Sequence, residues 1–325
     1  MAYLVVSLIL LAFFVLTFAI AQSQKNNGLV DIAWGLGFVV SAAVSYFLGK
    51  PQGPVPLVIT VLVAVWGLRL TWHLARRNLG KPEDFRYANM RQNWNPSTFY
   101  LRMFVQIYVL QLVLSLVINL PAIVRNLQDQ AGWNLLTTAG LIIWLCGFAF
   151  ETIGDRQLKR FKANPANRGK LITCGLWRYS RHPNYFGEAT LWWGIFIMAM
   201  SDGRYIWLIV SPLLITLFLL YVSGVPMLEK KYAGRPDWEI YKAQTSKFFP
   251  LPPKRIFRSP EQPSDVFPMG HNHQNCIGQG QHDLPDRHGE TDKTDSQDHH
   301  RQKDSTNQRH DRHRPENQQD RNGDD

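Results

Sequence analysis

An all-α fold, a polytopic membrane bundle of about seven transmembrane helices followed by a disordered polar tail, is what this sequence predicts, and three observations carry that prediction. The mean hydropathy of −0.17 averages two unlike regions: residues 1 to about 250 are dense in Leu, Val, Ile, Phe and Trp, whereas residues 259–325 hold almost no aliphatic side chains. The first region contains several runs near the roughly 20 apolar residues that cross a hydrocarbon core about 30 Å thick. Lys and Arg then fall in alternate loops, which is the pattern that cytoplasmic positive charge imposes. Two domains follow: a transmembrane domain over residues 1–258 and a polar, His-rich tail over residues 259–325.

The expected spans are residues 2–22, 28–48, 54–74, 99–123, 134–154, 188–202 and 204–224. The first is read as a retained helix: no Lys or Arg precedes it, and its apolar run is longer than that of a signal peptide. The loop after span 3 carries Arg76, Arg77, Lys81, Arg86 and Arg91, and that after span 5 carries Arg156, Lys159, Arg160, Lys162, Arg168, Lys170, Arg178 and Arg181. After span 7 come Lys230, Lys231, Arg235, Lys242, Lys247, Lys254 and Arg255, while the other loops hold only Lys25, Lys50, Arg125 and Arg204. This alternation sets the N-terminus outside and the C-terminus in the cytoplasm.

The tail contains eight of the ten histidines, without fixed ligand spacing, and its composition cannot bury enough apolar surface to offset the entropy of ordering. Cys146, Cys174 and Cys276 lack zinc-ligand spacing, so no metal site is expected. Gln106, Gln111 and Asn119 in span 4 suit interhelical hydrogen bonding, and Trp72 and His73 suit an interfacial anchor.

Polar side chains concentrate elsewhere. Asp155, Lys159 and Lys162 share one helix face at i, i+4 and i+7, until Pro165 and Gly169 break the helix. GLWRYSRHPNYFGE, residues 175–188, then sets Arg178, Arg181, His182, Asn184, Tyr185 and Glu188 just before an apolar run. Pro183 suits a first helical turn, and open amides there beside Arg and His would suit phosphate. Glu188 at a membrane entrance needs a partner. Asp31 is expected near the extracellular end of span 2 as a lone intramembrane acid, a functional candidate by default whose bland alternative is a helix-end Asp wetted by headgroups. Tyr87 in EDFRYANMR offers a phenolic donor.

GLWRYSRHPNYFGE, the Asp155 helix and EKKYAGRPDWEIYKAQTSKFFPLPP together resemble the C-terminal domain of the steroid 5α-reductase family, especially its bacterial branch of uncharacterised membrane proteins, over roughly residues 25–253. Sterol reductases and isoprenylcysteine or phospholipid methyltransferases share the RHPNYFGE-like core. The resemblance implies seven transmembrane helices, NADPH in a cytoplasm-facing cavity, and hydride transfer to a conjugated enone. It implies a cofactor wall of Asp155, Lys162, Lys170, Arg178, Arg181, His182, Asn184, Tyr185 and Glu188, closed by Lys230 and Tyr241. Catalytic Asp31 and Tyr87 would then hold the carbonyl oxygen. Lys162 and Lys170 stand where the steroid enzymes have Arg, which keeps charge and loses bidentate phosphate recognition. The adjacent Gln-Glu pair of span 2 in those enzymes is absent.

The expectation is therefore a multi-pass protein of a bacterial inner membrane that reduces a lipid-soluble enone or related double bond with NADPH. Its partners would be the lipid-soluble substrate and membrane lipids, with no nucleic acid. The alternatives are an S-adenosylmethionine-dependent membrane methyltransferase and a non-catalytic lipid-binding membrane protein.

Overall fold

The computed structural model describes residues 1–128, 132–200 and 203–254, all within one compact unit, Met1–Gln279. The expected tail and its boundary at residue 258 lie outside the described residues.

The N-terminal half is a set of long apolar helices. Helix α1 (Ala2–Ser23) is apolar on every side, and Lys25 turns the chain with φ 51° into α2 (Leu29–Gly49). Helix α3 (Pro54–Asn78) starts on a proline, whose missing N–H costs nothing there, and ends on Arg76 and Arg77, which suit a helix C-terminus. The short surface helix α4 (Phe85–Asn93) is capped by Asp84, whose carboxylate accepts from the Arg86 N–H at 3.0 Å. One further span runs through α5 (Phe99–Met103), a π-helical stretch (Phe104–Val109) and α6 (Leu110–Ile118), with α7 (Leu120–Gln128) after it.

The C-terminal half carries the motif. Helix α8 (Leu135–Ala163) has 29 residues, roughly 43 Å at 1.5 Å per residue, so its basic end stands clear of a hydrocarbon core. It stops where the sequence predicts, before Pro165, and Gly169 takes φ 80°. Helix α9 (Pro183–Ala199) begins on Pro183 as expected. The last span joins a 3-10 segment (Gly203–Ile209), α10 (Val210–Leu217), a second π-helical stretch (Phe218–Val222) and α11 (Val225–Tyr232), and surface helix α12 (Pro236–Gln244) follows.

Among the described residues six helices are long and apolar enough to cross a membrane. The sixth expected span, residues 188–202, corresponds to α9, which starts earlier and has only 17 residues. Its apolar side chains face protein: Leu191, Trp192, Ile195, Phe196 and Met198 are all buried. Hydropathy alone does not separate such a central helix from a lipid-exposed span.

Glycine lets α9 lie against α8. Gly140, Gly147 and Gly154 recur every seventh residue on α8 and face Gly194, Gly187 and Asn184 on α9, so the two helices run antiparallel. A Cβ added at Gly147 would come within 2.5 Å of the Leu191 nitrogen, and one at Gly187 within 2.4 Å of the Glu151 nitrogen. Gly35 of α2 and Gly67 of α3 make a similar crossing, the small-residue contact by which membrane helices pack closely. Asn119, as expected, links helices: its amide donates to the Phe38 carbonyl at 3.0 Å and to Ser41 at 2.8 Å.

The antiparallel order brings four helix ends and one short helix to one face: the start of α2, the end of α3, the end of α8, the start of α9, and α4. Asp31 lies on that face. The expectation that it sits at the opposite, extracellular end of the bundle is corrected by the alternation itself, since α2 begins on the side where α3 ends.

Candidate functional site

Three groups of polar side chains occupy this face. The innermost centres on Arg69 of α3. Its guanidinium ion-pairs with both Glu151 and Asp155, one turn apart on α8. The Trp66 indole donates to Glu151 at 3.1 Å and the Asn184 amide donates to Asp155 at 3.1 Å. Glu188 lies one turn along α9 from Asn184, and Gly154 leaves room for Asn184 against α8. Trp66 also packs edge-on to Phe38 and Trp192, with ring centroids 5.1 and 5.2 Å away, so the polar group rests on the aromatic core.

The second group ties α2 to α4. The Tyr87 hydroxyl donates to Asp31 at 2.7 Å, and Arg86 donates to the other Asp31 oxygen at 2.6 Å and to Asp84 at 2.8 Å. Burial and then the charge of Asp31 push the Tyr87 phenol up, so it stays protonated. The two candidate catalytic residues are therefore in contact. Asp31 is not the lone intramembrane acid that the sequence suggested, because Arg86 pairs with it. Next to them Glu83 accepts from Asn27 and, through both oxygens, from Arg91 at 3.0 Å. Burial alone would raise its carboxyl, but Arg91 and Asn27 hold it below the ordinary carboxylate range.

The third group surrounds a cavity of about 640 Å³ between the end of α8, the 164–177 segment, α11 and α12. Lys162, Arg168, Lys170, Arg181, Lys231 and Arg235 line it, together with His182, Trp177, Trp238 and Tyr241. No Asp or Glu is among the lining residues. Arg181 is largely committed to the fold: its Nε donates to Glu229 at 2.9 Å and one terminal nitrogen donates to the Lys242 and Thr245 carbonyls at 2.9 and 2.8 Å. The His182 ring lies 3.2 Å from the same Glu229 oxygen and stacks on Tyr185 at 5.7 Å. Burial pushes His182 below its ordinary value of 6.5 against the pull of Glu229. Tyr241 clamps the lining, its hydroxyl donating to the Trp177 carbonyl at 2.5 Å.

Of the sequence candidates, Lys162, Lys170, Arg181, His182 and Tyr241 thus meet at the cavity, while Asp155 and Asn184 meet at Arg69. Arg178 and Lys230 are exposed and do not line it, and Lys231 stands where Lys230 was expected. The N-terminal turn of α9 abuts α8, and Pro183, Asn184 and Tyr185 are not among the residues that line the cavity. Tyr185 joins the third group through its ring, which stacks on His182 at 5.7 Å. Sequence reasoning missed Arg69, Glu151, Arg86 and Glu229. Arg69 and Glu151 carried a signal, each being a charge inside an apolar run.

Comparison with known proteins bears on this arrangement. Residues 17–245 match a family described as a protein of unknown function, DUF1295. The chain belongs to the DUF1295 family. That family is associated with steroid 5α-reductase-like membrane proteins. An uncharacterised protein of Schizosaccharomyces pombe is 22% identical over 254 residues, covering 70% of this chain and 73% of that protein. A probable O-methyltransferase of Ustilaginoidea virens is 41% identical over 59 residues, which is 18% of this chain and 20% of that protein. No solved structure matches.

Proposed function

We propose that this DUF1295 protein is a membrane reductase that uses NADPH or NADH to reduce a lipid-soluble enone or related activated double bond. The observation that carries the reading is the charge of the cavity: six Lys and Arg side chains without one carboxylate among the lining residues. Such a wall suits a ligand with several phosphate charges. It is poorly suited to S-adenosylmethionine, which brings a sulfonium cation and no phosphate.

The lining residues fit a dinucleotide in kind. Lys162, Lys170, Arg168, Lys231 and Arg235 would hold phosphates as charge partners, and Trp177 and Trp238 offer flat apolar surface to a base. When bound, the nicotinamide supplies hydride. The protein's own contribution lies at Asp31, Arg86 and Tyr87. Tyr87 is a phenol at neutral pH, and Asp31, fixed by Arg86, orients it. If its O–H turns from Asp31 to a substrate carbonyl, Tyr87 stabilises the negative charge that develops on that oxygen, while Asp31 retains Arg86 as partner.

Titration calorimetry of the detergent-purified protein against NADPH, NADH and S-adenosylmethionine tests the reading. Binding of a reduced dinucleotide, weakened by salt as phosphate contacts require, is expected. Binding of S-adenosylmethionine alone would sink it and favour the methyltransferase reading, which the short match to the probable O-methyltransferase supports. Binding of none of the three would favour a non-catalytic lipid-binding protein.

A further inference from the structure

Residues 246–251, which follow α12, form a short strap with two unlike sides. Ser246 pairs with Ser180 in an isolated parallel bridge, and the Phe248 carbonyl accepts from the Ser180 hydroxyl. Phe248 is buried against the motif, whereas Lys247, Phe249 and Leu251 are exposed, Phe249 by 62%. The Lys247 ammonium lies 5.6 Å from the centre of the Tyr221 ring. Tyr221, 67% exposed, and its exposed neighbour Val222 stand in the last span, one turn beyond exposed Leu217. The outer side of the strap therefore continues the lipid-facing side of that span at its basic end. Two large apolar side chains are unsuited to water, and a lysine is unsuited to the hydrocarbon interior. Aromatic rings beside a cation suit the headgroup layer between them. Residues 246–254 hold Lys247 and Lys254 without one Asp or Glu, and neither lysine forms an ion pair with any described residue.

We propose that the outer side of this strap docks an anionic phospholipid, with the headgroup phosphate on Lys247 and the first acyl carbons along Phe249 and Tyr221, and that the lipid holds the strap on the motif. Charge decides the headgroup: unpaired lysines without a carboxylate in the segment favour an anionic lipid over a zwitterionic one. Continuity with the last span decides the occupant, because lipid already covers that side of the helix. A ligand that binds the seated strap and not the released one stabilises the seated state. The effect reaches the cavity wall through Arg181. Its amide donates to the Ser246 carbonyl, and its guanidinium donates to the Lys242 and Thr245 carbonyls beside the cavity. Lipid on the outer side of the strap thus steadies a residue on the inner side, whatever the cavity binds.

The test counts bound lipid. Detergent-purified full-length protein is mixed with equal amounts of phosphatidylglycerol and phosphatidylcholine bearing the same acyl chains, and native mass spectrometry gives the ratio that stays bound. The native chain should prefer phosphatidylglycerol. Lys247→Gln should cut that preference about fivefold, the scale of one lysine at an anionic surface, and Lys247→Arg should keep it. Lys50→Gln, at the other face, should leave it unchanged. Phosphatidylglycerol should also raise the thermal unfolding midpoint of the native chain more than that of Lys247→Gln. Soluble glycerol phosphate at the same concentration should not substitute for the lipid, and an equal rise with it would reveal a free-anion site and overturn the proposal. The absence of any preference in the native chain, or a preference undiminished in Lys247→Gln, overturns it as well.

Discussion

Arg69 is the residue on which the candidate site depends most. Its removal leaves Glu151 and Asp155 buried without a cation, and breaking such a pair costs about 3–5 kcal/mol. Arg69→Ala should therefore lower the thermal unfolding midpoint in detergent sharply, and adding Glu151→Gln should restore part of it. An unchanged midpoint in the single variant would mean that the cluster is wetter than its burial implies. Tyr87→Phe is a milder change that deletes one hydrogen bond to Asp31, with an expected loss of about 1 kcal/mol. It should leave dinucleotide affinity intact, because Tyr87 does not line the cavity. His182 contributes a pH dependence. Its folded value lies below the ordinary 6.5, so the unfolded chain binds the extra proton first, and stability falls as pH drops below that value. The unfolding midpoint should decline from about pH 7.5 to about pH 5.5, and His182→Gln should flatten that slope. An equal slope in both proteins would assign it to other groups.

At the scale of helices, the glycine seam between α8 and α9 makes a sharp demand. Gly147→Leu places a branched side chain where even a Cβ meets the Leu191 nitrogen at 2.5 Å, so the helices must separate. The substitution should abolish recovery of folded protein in a gel-filtration assay, whereas the same change at Gly132, which has nothing within 4 Å, should be tolerated. Most of these helices were legible in the sequence, because long apolar runs, Pro183 at a helix start and Pro165 after a helix end are local signals. The seven-residue glycine period was equally local, yet hydropathy does not weigh it. The pairing of Arg69 with Glu151 was not legible, since it joins positions 82 residues apart and depends on which faces of α3 and α8 meet. The same holds for the burial of α9: its composition matches a membrane span, and only its neighbours make it an interior helix. Candidate residues were found where a motif concentrates them, at the α8 end and the α9 start. Arg69 and Glu151 were missed because each is a charge inside an apolar run that no motif marks.

The molecule as a whole is polarised. The basic loops, the cavity, the Asp31 group and the Arg69 group share one face, while Lys50 marks the other, in the turn between α2 and α3. We propose that the basic face is turned toward the cytoplasm, the orientation that charge alternation would impose. In a variant with Cys146, Cys174 and Cys276 replaced, single cysteines at Lys81 or Lys170 should be shielded from a membrane-impermeant maleimide in intact cells, and one at Lys50 should react. The reverse pattern would invert the orientation and place the candidate cavity away from the cell's nucleotide pool.

The segment after α12 is bound back onto the motif at several points. The Arg181 amide donates to the Ser246 carbonyl at 2.9 Å, Ser180 donates to the Phe248 carbonyl at 2.7 Å, and the Leu251 amide donates to the Tyr179 carbonyl at 3.0 Å. Arg181 itself needs the carbonyls of Lys242 and Thr245. During synthesis, then, the earlier spans reach the bilayer before the residues that brace the motif have left the ribosome. The cavity wall closes only when the final stretch of this unit is made. A chain stalled or clipped ahead of Tyr241 would be an inserted membrane protein with its binding face unassembled, and the cell's membrane quality control would meet it in that state.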